Sequence, residues 1–134
     1  MSQENVEIVR RAIQAYDDFG FDGLTGFLDQ DVNWRAAEGA PDDVGEMNGI
    51  EAMRRYFADF PEMFEDLTTV PTEVLDLGDD RVLAVLRMKG RARLSGVETE
   101  LTFAAVYTLR DGKIVRGREY LDRVEALKAV GLQE

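Results

Sequence analysis

Two β-strands and the tight turn between them can be read from residues 103–123, FAAVYTLRDGKIVRGREYLDR. The turn falls at Asp111-Gly112, a dipeptide typical of hairpins. It separates predicted strands over 97–110 and 113–121. Because side chains alternate along a strand, one acidic residue shares a face with three neutral ones: Val115, Gly117, Glu119 and Leu121. This pattern predicts that Glu119 points toward the protein interior.

The preceding segment predicts two more strands, over 69–77 and 81–93, bounded by Gly78-Asp79-Asp80 and Ser95-Gly96. A two-residue turn at Ser95-Gly96 would place Leu94 opposite Val97. That register puts acids opposite bases on the outer face: Arg93 faces Glu98, and Arg91 faces Glu100. On the inner face it pairs Gly90 with Leu101, Met88 with Phe103, Leu86 with Ala105, and Ala84 with Tyr107.

An aliphatic patch continues the outer face beyond the charged pairs. Its members are Leu83, Val85, Ala104 and Val106. A sheet face of this kind needs a cover. A second copy of the chain is the simplest cover, so the pattern predicts a homodimer through the outer sheet face.

The rest of the chain reads as helices around one further strand. Apolar residues at helical spacing predict helices over 3–18, 21–28, 50–64 and 125–130, with Pro61 either kinking the third or restarting it as a separate turn. A strand is predicted over 31–37 and a loop over 38–49. Helices on one side of a mainly antiparallel sheet give an α+β architecture, with residues 1–134 forming one domain.

The composition excludes several classes of function. Sixteen basic and 27 acidic residues leave a net charge of −11, which disfavours nucleic-acid binding. Histidine and cysteine are both absent, so the usual general base, thiolate nucleophiles and the commonest transition-metal ligands are missing. We expect no metal and no cofactor. With no apolar run of membrane-spanning or signal-peptide length, we also expect no membrane partner and a cytoplasmic location.

Four segments together resemble the nuclear-transport-factor-2-like (NTF2-like) superfamily, in its SnoaL-like branch. They are NVEIVRRAIQAY (5–16), FLDQDVNWRAAEG (27–39), NGIEAMRRYF (48–57) and the stretch quoted first. The resemblance implies a strongly curved sheet wrapped by three N-terminal helices, with a short C-terminal helix and a pocket at the open end of the cone. Dimers that pack through the outer sheet face are common in this superfamily, so the resemblance also implies a homodimer of this kind. The superfamily includes isomerases, epoxide hydrolases, cyclases, dehydratases and binding modules, so the fold alone does not identify a reaction.

Catalytic positions implied by the resemblance are mostly neutral here. A ketosteroid-isomerase-like site would need polar residues where this chain has Ala12, Ala36 and Ala105. An epoxide-hydrolase-like site would need four polar residues at the positions of Trp34, Ala36, Val82 and Ala84. Its fifth residue, an acid on the last strand, matches Glu119.

Glu119 is therefore the candidate catalytic residue, because apolar surroundings raise a carboxyl pKa toward neutrality and suit it to acid–base chemistry. The alternative is an ordinary ion pair with Arg87, Arg116 or Arg118, or a hydrogen bond to a tyrosine. The candidate ligand-binding residues are Tyr16, Trp34, Met53, Tyr56, Met88, Phe103 and Tyr107, with Met63 as a further lining residue; each has ordinary core packing as its alternative.

These observations predict a small-molecule-binding protein with an apolar pocket for a hydrophobic metabolite. An acid–base enzyme of isomerase, cyclase, dehydratase or epoxide-hydrolase type would use Glu119. The alternative is a non-catalytic ligand-binding or dimeric interaction module.

Overall fold

The computed structural model describes residues 2–132. Its helices are α1 (Ser2–Phe19), α2 (Phe21–Leu24), α3 (Ile50–Phe57), α4 (Asp59–Met63) and α5 (Arg123–Ala129), with a 3₁₀ turn at Thr25–Phe27. Its strands are β1 (Leu28–Arg35), β2 (Met47–Asn48), β3 (Phe64–Gly78), β4 (Arg81–Ala92), β5 (Glu98–Arg110) and β6 (Lys113–Tyr120). No described helix is both long enough and apolar enough to span a membrane.

The strands form one curved, open sheet in the order β2-β1-β6-β5-β4-β3. All neighbouring pairs are antiparallel except β1 and β6, which run parallel. The predicted α+β cone is thus confirmed, with one parallel pair in the sheet. We call the face toward α1 and α3 the inner face. Its side chains and those of the helices form the main core, which includes Val9, Val32, Met53 and Ala105.

Several boundaries differ from the sequence prediction. The first strand begins at Leu28 rather than Asp31, and β3 begins at Phe64 rather than Thr69. The short strand β2 lies inside the segment predicted to be a loop, because Met47 and Asn48 pair with β1. The third predicted helix is two helices, α3 and α4, which is the restart alternative allowed by Pro61.

The β4–β5 register differs by two residues from the predicted one. Arg91 lies opposite Glu98, and Lys89 lies opposite Glu100. The two-residue turn is wrong because Arg93 leaves the hairpin: its backbone N–H donates to the Met63 carbonyl, and its Nε donates to the Pro61 carbonyl. A shift of two residues keeps every side chain on its predicted face. The partners change, and the division into inner and outer faces is confirmed.

The last strand contains a β-bulge that the sequence analysis missed. Thr108 pairs with Arg116, whereas the next residue of β5, Leu109, pairs with Ile114. Val115 is therefore the extra residue, and Ile114 takes the inward position predicted for Val115. Gly117 and Glu119 follow the bulge and face inward as predicted.

The outer aliphatic patch is covered by the chain's own C-terminal helix. Leu83, Ala104 and Val106 pack with Ala126 and Leu127 of α5. We call these five residues the outer cluster; all are less than a tenth exposed. Asp122 caps the N-terminus of α5, because its side chain accepts a hydrogen bond from the Glu125 N–H. The observation that motivated a homodimer is thus accounted for within one chain.

Candidate functional site

A cavity of about 240 Å³ lies between the inner sheet face and the helices. This volume exceeds the ~150 Å³ of an engineered cavity that holds benzene and falls below the ~300 Å³ at which drug-sized pockets begin. Aliphatic and aromatic side chains make up most of the lining, including Val9, Ile13, Leu24, Leu86, Met88, Leu101, Phe103 and Ile114. The space suits a ligand with one or two rings.

Glu119 lies deep in the protein and lines the cavity, from which its side chain is partly accessible. Its carboxylate accepts a hydrogen bond of 3.2 Å from Trp34 Nε1. Burial raises the pKa of Glu119 from 4.5 to about 7, with a smaller rise from Asp42 and an opposing effect of the Trp34 hydrogen bond. Both protonation states are therefore available near neutral pH.

The arginines considered as partners for Glu119 have other positions. Arg87 pairs with Glu100 at 3.4 Å, and Arg118 contacts Glu46 and Asn33. Arg116 is exposed. Within residues 2–132, no salt bridge to Glu119 is formed. The geometry is that of an acid with one neutral donor, rather than of an ion pair.

Trp34 reaches Glu119 because Gly117 leaves room for its ring. Trp34 and Gly117 are paired across the parallel strands β1 and β6. A Cβ atom at position 117 would lie 2.3 Å from Cε3 of the indole, far inside contact distance. Gly117 thus allows Trp34 to lie against the sheet with Nε1 directed at the carboxylate.

Three tyrosines share the cavity with Glu119. Burial raises the pKa of Tyr16 to about 12, and the nearby Glu119 charge contributes to this rise. The pKa values of Tyr56 and Tyr107 are also raised, in both cases mainly by burial. All three phenols therefore keep their protons at neutral pH and can act as hydrogen-bond donors, although the Tyr56 hydroxyl already donates to Asp42.

The loop over residues 36–46 brings Ala40, Pro41 and Asp42 to the cavity. The Tyr56 hydroxyl donates a hydrogen bond to Asp42 Oδ2. The loop is fixed by Asp43, which accepts hydrogen bonds from Arg35 and from the Gly39 and Gly45 N–H groups. These bonds, that from Arg35 above all, hold the pKa of Asp43 well below its usual range.

Phe57 is the centre of an aromatic cluster on one side of the cavity. Its ring stacks on Phe21 with centroids 5.3 Å apart and meets Tyr16, Tyr56 and Trp34 edge to face at 5.1–6.4 Å. Such contacts stabilise aromatic pairs beyond simple burial. The cluster fixes the rings that form this wall.

The structure places six of the seven predicted ligand-binding residues in the lining: Tyr16, Trp34, Tyr56, Met88, Phe103 and Tyr107. Met53 is not among them, because its side chain points into the core and is fully buried. Met63 also lies outside the lining and is half exposed.

Sequence reasoning missed Asp42, Phe57 and Phe60 as lining residues. The helical periodicity that identified Phe57 and Phe60 as apolar was the available signal, and it could not distinguish core from cavity wall. Asp42 had no signal, since a loop aspartate is usually solvated.

No group of three carboxylates within residues 2–132 is placed to hold a metal ion. The expectation of a metal-free protein stays a prediction, which unchanged melting curves on adding a chelator would support.

Comparisons with known proteins agree with the architecture. The sequence profile of the SnoaL-like domain matches residues 9–117. An NTF2-like protein from Burkholderia xenovorans is 28% identical, with a TM-score of 0.72 and coverage of 91% of this chain and 92% of that one. TerC, crystallised with polyporic acid, is 24% identical, with a TM-score of 0.76 and coverage of 93% and 96%. An NTF2-like protein from Burkholderia pseudomallei is 20% identical, with a TM-score of 0.76 and coverage of 96% and 98%. No protein of curated function matches this sequence.

Proposed function

Because this chain belongs to the SnoaL-like domain family, we propose that it binds a small hydrophobic molecule in its cavity and transfers a proton on it through Glu119. The observation that carries the proposal is a buried carboxyl in an apolar cavity, with Trp34 as its hydrogen-bond donor. A buried acid without a counter-charge costs stability. That cost is offset by function when the acid serves chemistry.

The chemistry follows from the protonation of the site. Ionised Glu119 can remove a proton from carbon or oxygen, and its protonated form can return one. Tyr16 and Tyr107 stay protonated beside it and can donate hydrogen bonds to an oxygen on which charge develops. Isomerisation, cyclisation, dehydration and epoxide opening share such a proton transfer, so the proposal covers the step rather than one of these reactions.

The probe cyclohex-3-en-1-one tests this proton transfer directly. Its conversion to the conjugated enone needs removal of a proton beside the carbonyl and addition of a proton at the far end of the double bond. The conjugated product is followed by its ultraviolet absorbance. We expect Glu119→Gln to lower the rate by about 100-fold or more, while Glu98→Gln, at an exposed glutamate on β5, leaves it unchanged.

A non-catalytic binding module is the second candidate function. It is supported by Ala12, Ala36 and Ala105. These residues are apolar at positions where a ketosteroid-isomerase-like site would need polar groups. Binding of the enone, seen as a change in Trp34 fluorescence, without any conversion above that of the Gln variant would favour this candidate. Trp34 is the chain's single tryptophan, so its emission reports on the cavity alone.

The expected homodimer and cytoplasmic location stay proposals. With the outer cluster covered by α5, a second copy would have to use the partly buried apolar residues around it, such as Leu75, Leu77 and Val130. Sedimentation at micromolar concentration distinguishes a dimer from a monomer.

A further inference from the structure

The cavity has an uneven distribution of charge. Two of its lining residues are carboxylates, Glu119 and Asp42, and within residues 2–132 no lysine or arginine lines it. We propose that the cavity selects lipophilic amines in their ammonium form, with Glu119 as the counter-ion. This inference rests on the proposed binding function and names the class of ligand.

Strand alternation is what keeps basic residues out of the cavity. On β4, Leu86 and Met88 line the cavity. Their neighbours Arg87 and Lys89 therefore point to the outer face. On β6, Gly117 and Glu119 face inward, while Arg118 between them bonds to Asn33. An anionic ligand would therefore be desolvated beside two carboxylates, with no lysine or arginine among the described lining residues to pair with it.

The aromatic walls suit a cation. Indole and phenyl faces attract an ammonium group, and the attraction reaches ~2 kcal/mol or more when the ion is desolvated. Trp34 lies within the lining with its ring centroid 5.6 Å from that of Tyr107. Tyr16, Phe57 and Phe60 complete the rings on the helical side. A cation held by Glu119 would thus lie in a cavity lined by aromatic rings and aliphatic groups.

The titration of Glu119 makes the preference depend on pH. The polar groups facing it are Trp34 from β1, Tyr16 from α1, Tyr56 from α3, Tyr107 from β5, and Asp42 from the loop 36–46. None of these five groups is positively charged. Ammonium binding needs the ionised carboxylate, whose pKa is about 7. An alkylamine stays protonated to well above that pH, so its affinity should rise as pH increases from 6 to 8.

The test uses three probes with the same phenylethyl skeleton: 2-phenylethylamine, 2-phenylethanol and phenylacetic acid. Binding is followed by Trp34 fluorescence at about pH 6 and about pH 8. We expect the amine to bind best at the higher pH and to lose about tenfold in affinity at the lower one. Alcohol affinity should change little. In Glu119→Gln the amine should lose its advantage over the alcohol, whereas Glu98→Gln should keep it.

Two results would overturn the inference. If the alcohol or the acid binds as tightly as the amine at about pH 8, the selection for cations is wrong while the binding function stands. If none of the three probes changes Trp34 fluorescence or shows heat on calorimetry at millimolar concentration, both the inference and the proposed binding function fail.

Discussion

Arg118 and Glu119 are neighbours on β6, yet they belong to two different environments. Arg118 faces outward, where Asn33, Glu46 and the Gly117 carbonyl hold its guanidinium. Glu119 faces the cavity and has one neutral donor, Trp34. On the outer face, arginines such as Arg118 pair with acids and α5 covers the outer cluster, whereas on the inner face Glu119 faces the cavity without a salt bridge among the described residues. Both faces contribute to the core, but the acid proposed to carry out chemistry lies on the inner face.

The outer cluster is expected to give the largest effect when it is broken. Val106→Lys places an ammonium group beneath α5 with no acid beside it in the cluster, and we expect a loss of about 3–5 kcal/mol in the free energy of unfolding. Urea denaturation measures this loss. Val97→Lys is the matched control, because Val97 is 59% exposed and should change stability little. Equal stability of the two variants would show that α5 does not cover this face.

The Val106 position also shows which part of the fold the sequence could predict. Alternation assigned Leu83, Val85, Ala104 and Val106 to the outer face correctly, since period two is a local property. What covers that face is a tertiary question, and α5 was visible only as a short helix. The β4–β5 turn was missed for the same reason: Arg93 bonds to Pro61 and Met63, which are distant in sequence. At the site, Glu119 and Trp34 were predictable from alternation, whereas Met53 and Phe57 were not distinguished because core and cavity wall are equally apolar.

Removing the charge of Glu119 from the inner face should increase the stability of the protein, whereas adding a charge to the outer cluster should lower it. Glu119 has a folded-state pKa of about 7 against 4.5 unperturbed. Between these values the unfolded chain ionises while the folded protein keeps the proton, so the contribution of Glu119 to stability falls as pH rises. We expect Glu119→Gln to be more stable than the parent by up to about 3 kcal/mol at pH 8, with the gain largely gone by about pH 5.

Urea denaturation at the two pH values checks this expectation, with Glu98→Gln as the control. Glu98 forms an exposed pair with Arg91 at 3.7 Å, so its loss should cost ~0.2–1 kcal/mol at either pH. A Glu119→Gln variant that is destabilised at pH 8 would mean that the carboxylate is stabilised by a partner.

A smaller effect is expected from Gly117→Ala, which displaces Trp34 while leaving Glu119 in place. Gly117→Ala puts a methyl group where the indole lies, and the ring must shift. We expect a cost of about 1–3 kcal/mol, a shift in Trp34 emission, and a further rise in the pKa of Glu119, because the Trp34 hydrogen bond lowers that pKa. Gly26→Ala is the control, since no atom lies within 4 Å of a Cβ at that position. Unchanged emission in Gly117→Ala would contradict the packing described for Trp34.

The pKa of Glu119 is the most direct test of the difference between the two faces. Carbon-detected NMR of the side-chain carboxyl groups, titrated across the acid and neutral range, gives the midpoint for this residue, with Glu119→Gln assigning its signal. We predict a midpoint near 7, well above the usual value for a glutamate side chain. A midpoint at or below the ~4.3 of a free glutamate would show a satisfied ion pair, and Glu119 would then be a structural residue rather than the acid–base group of the site.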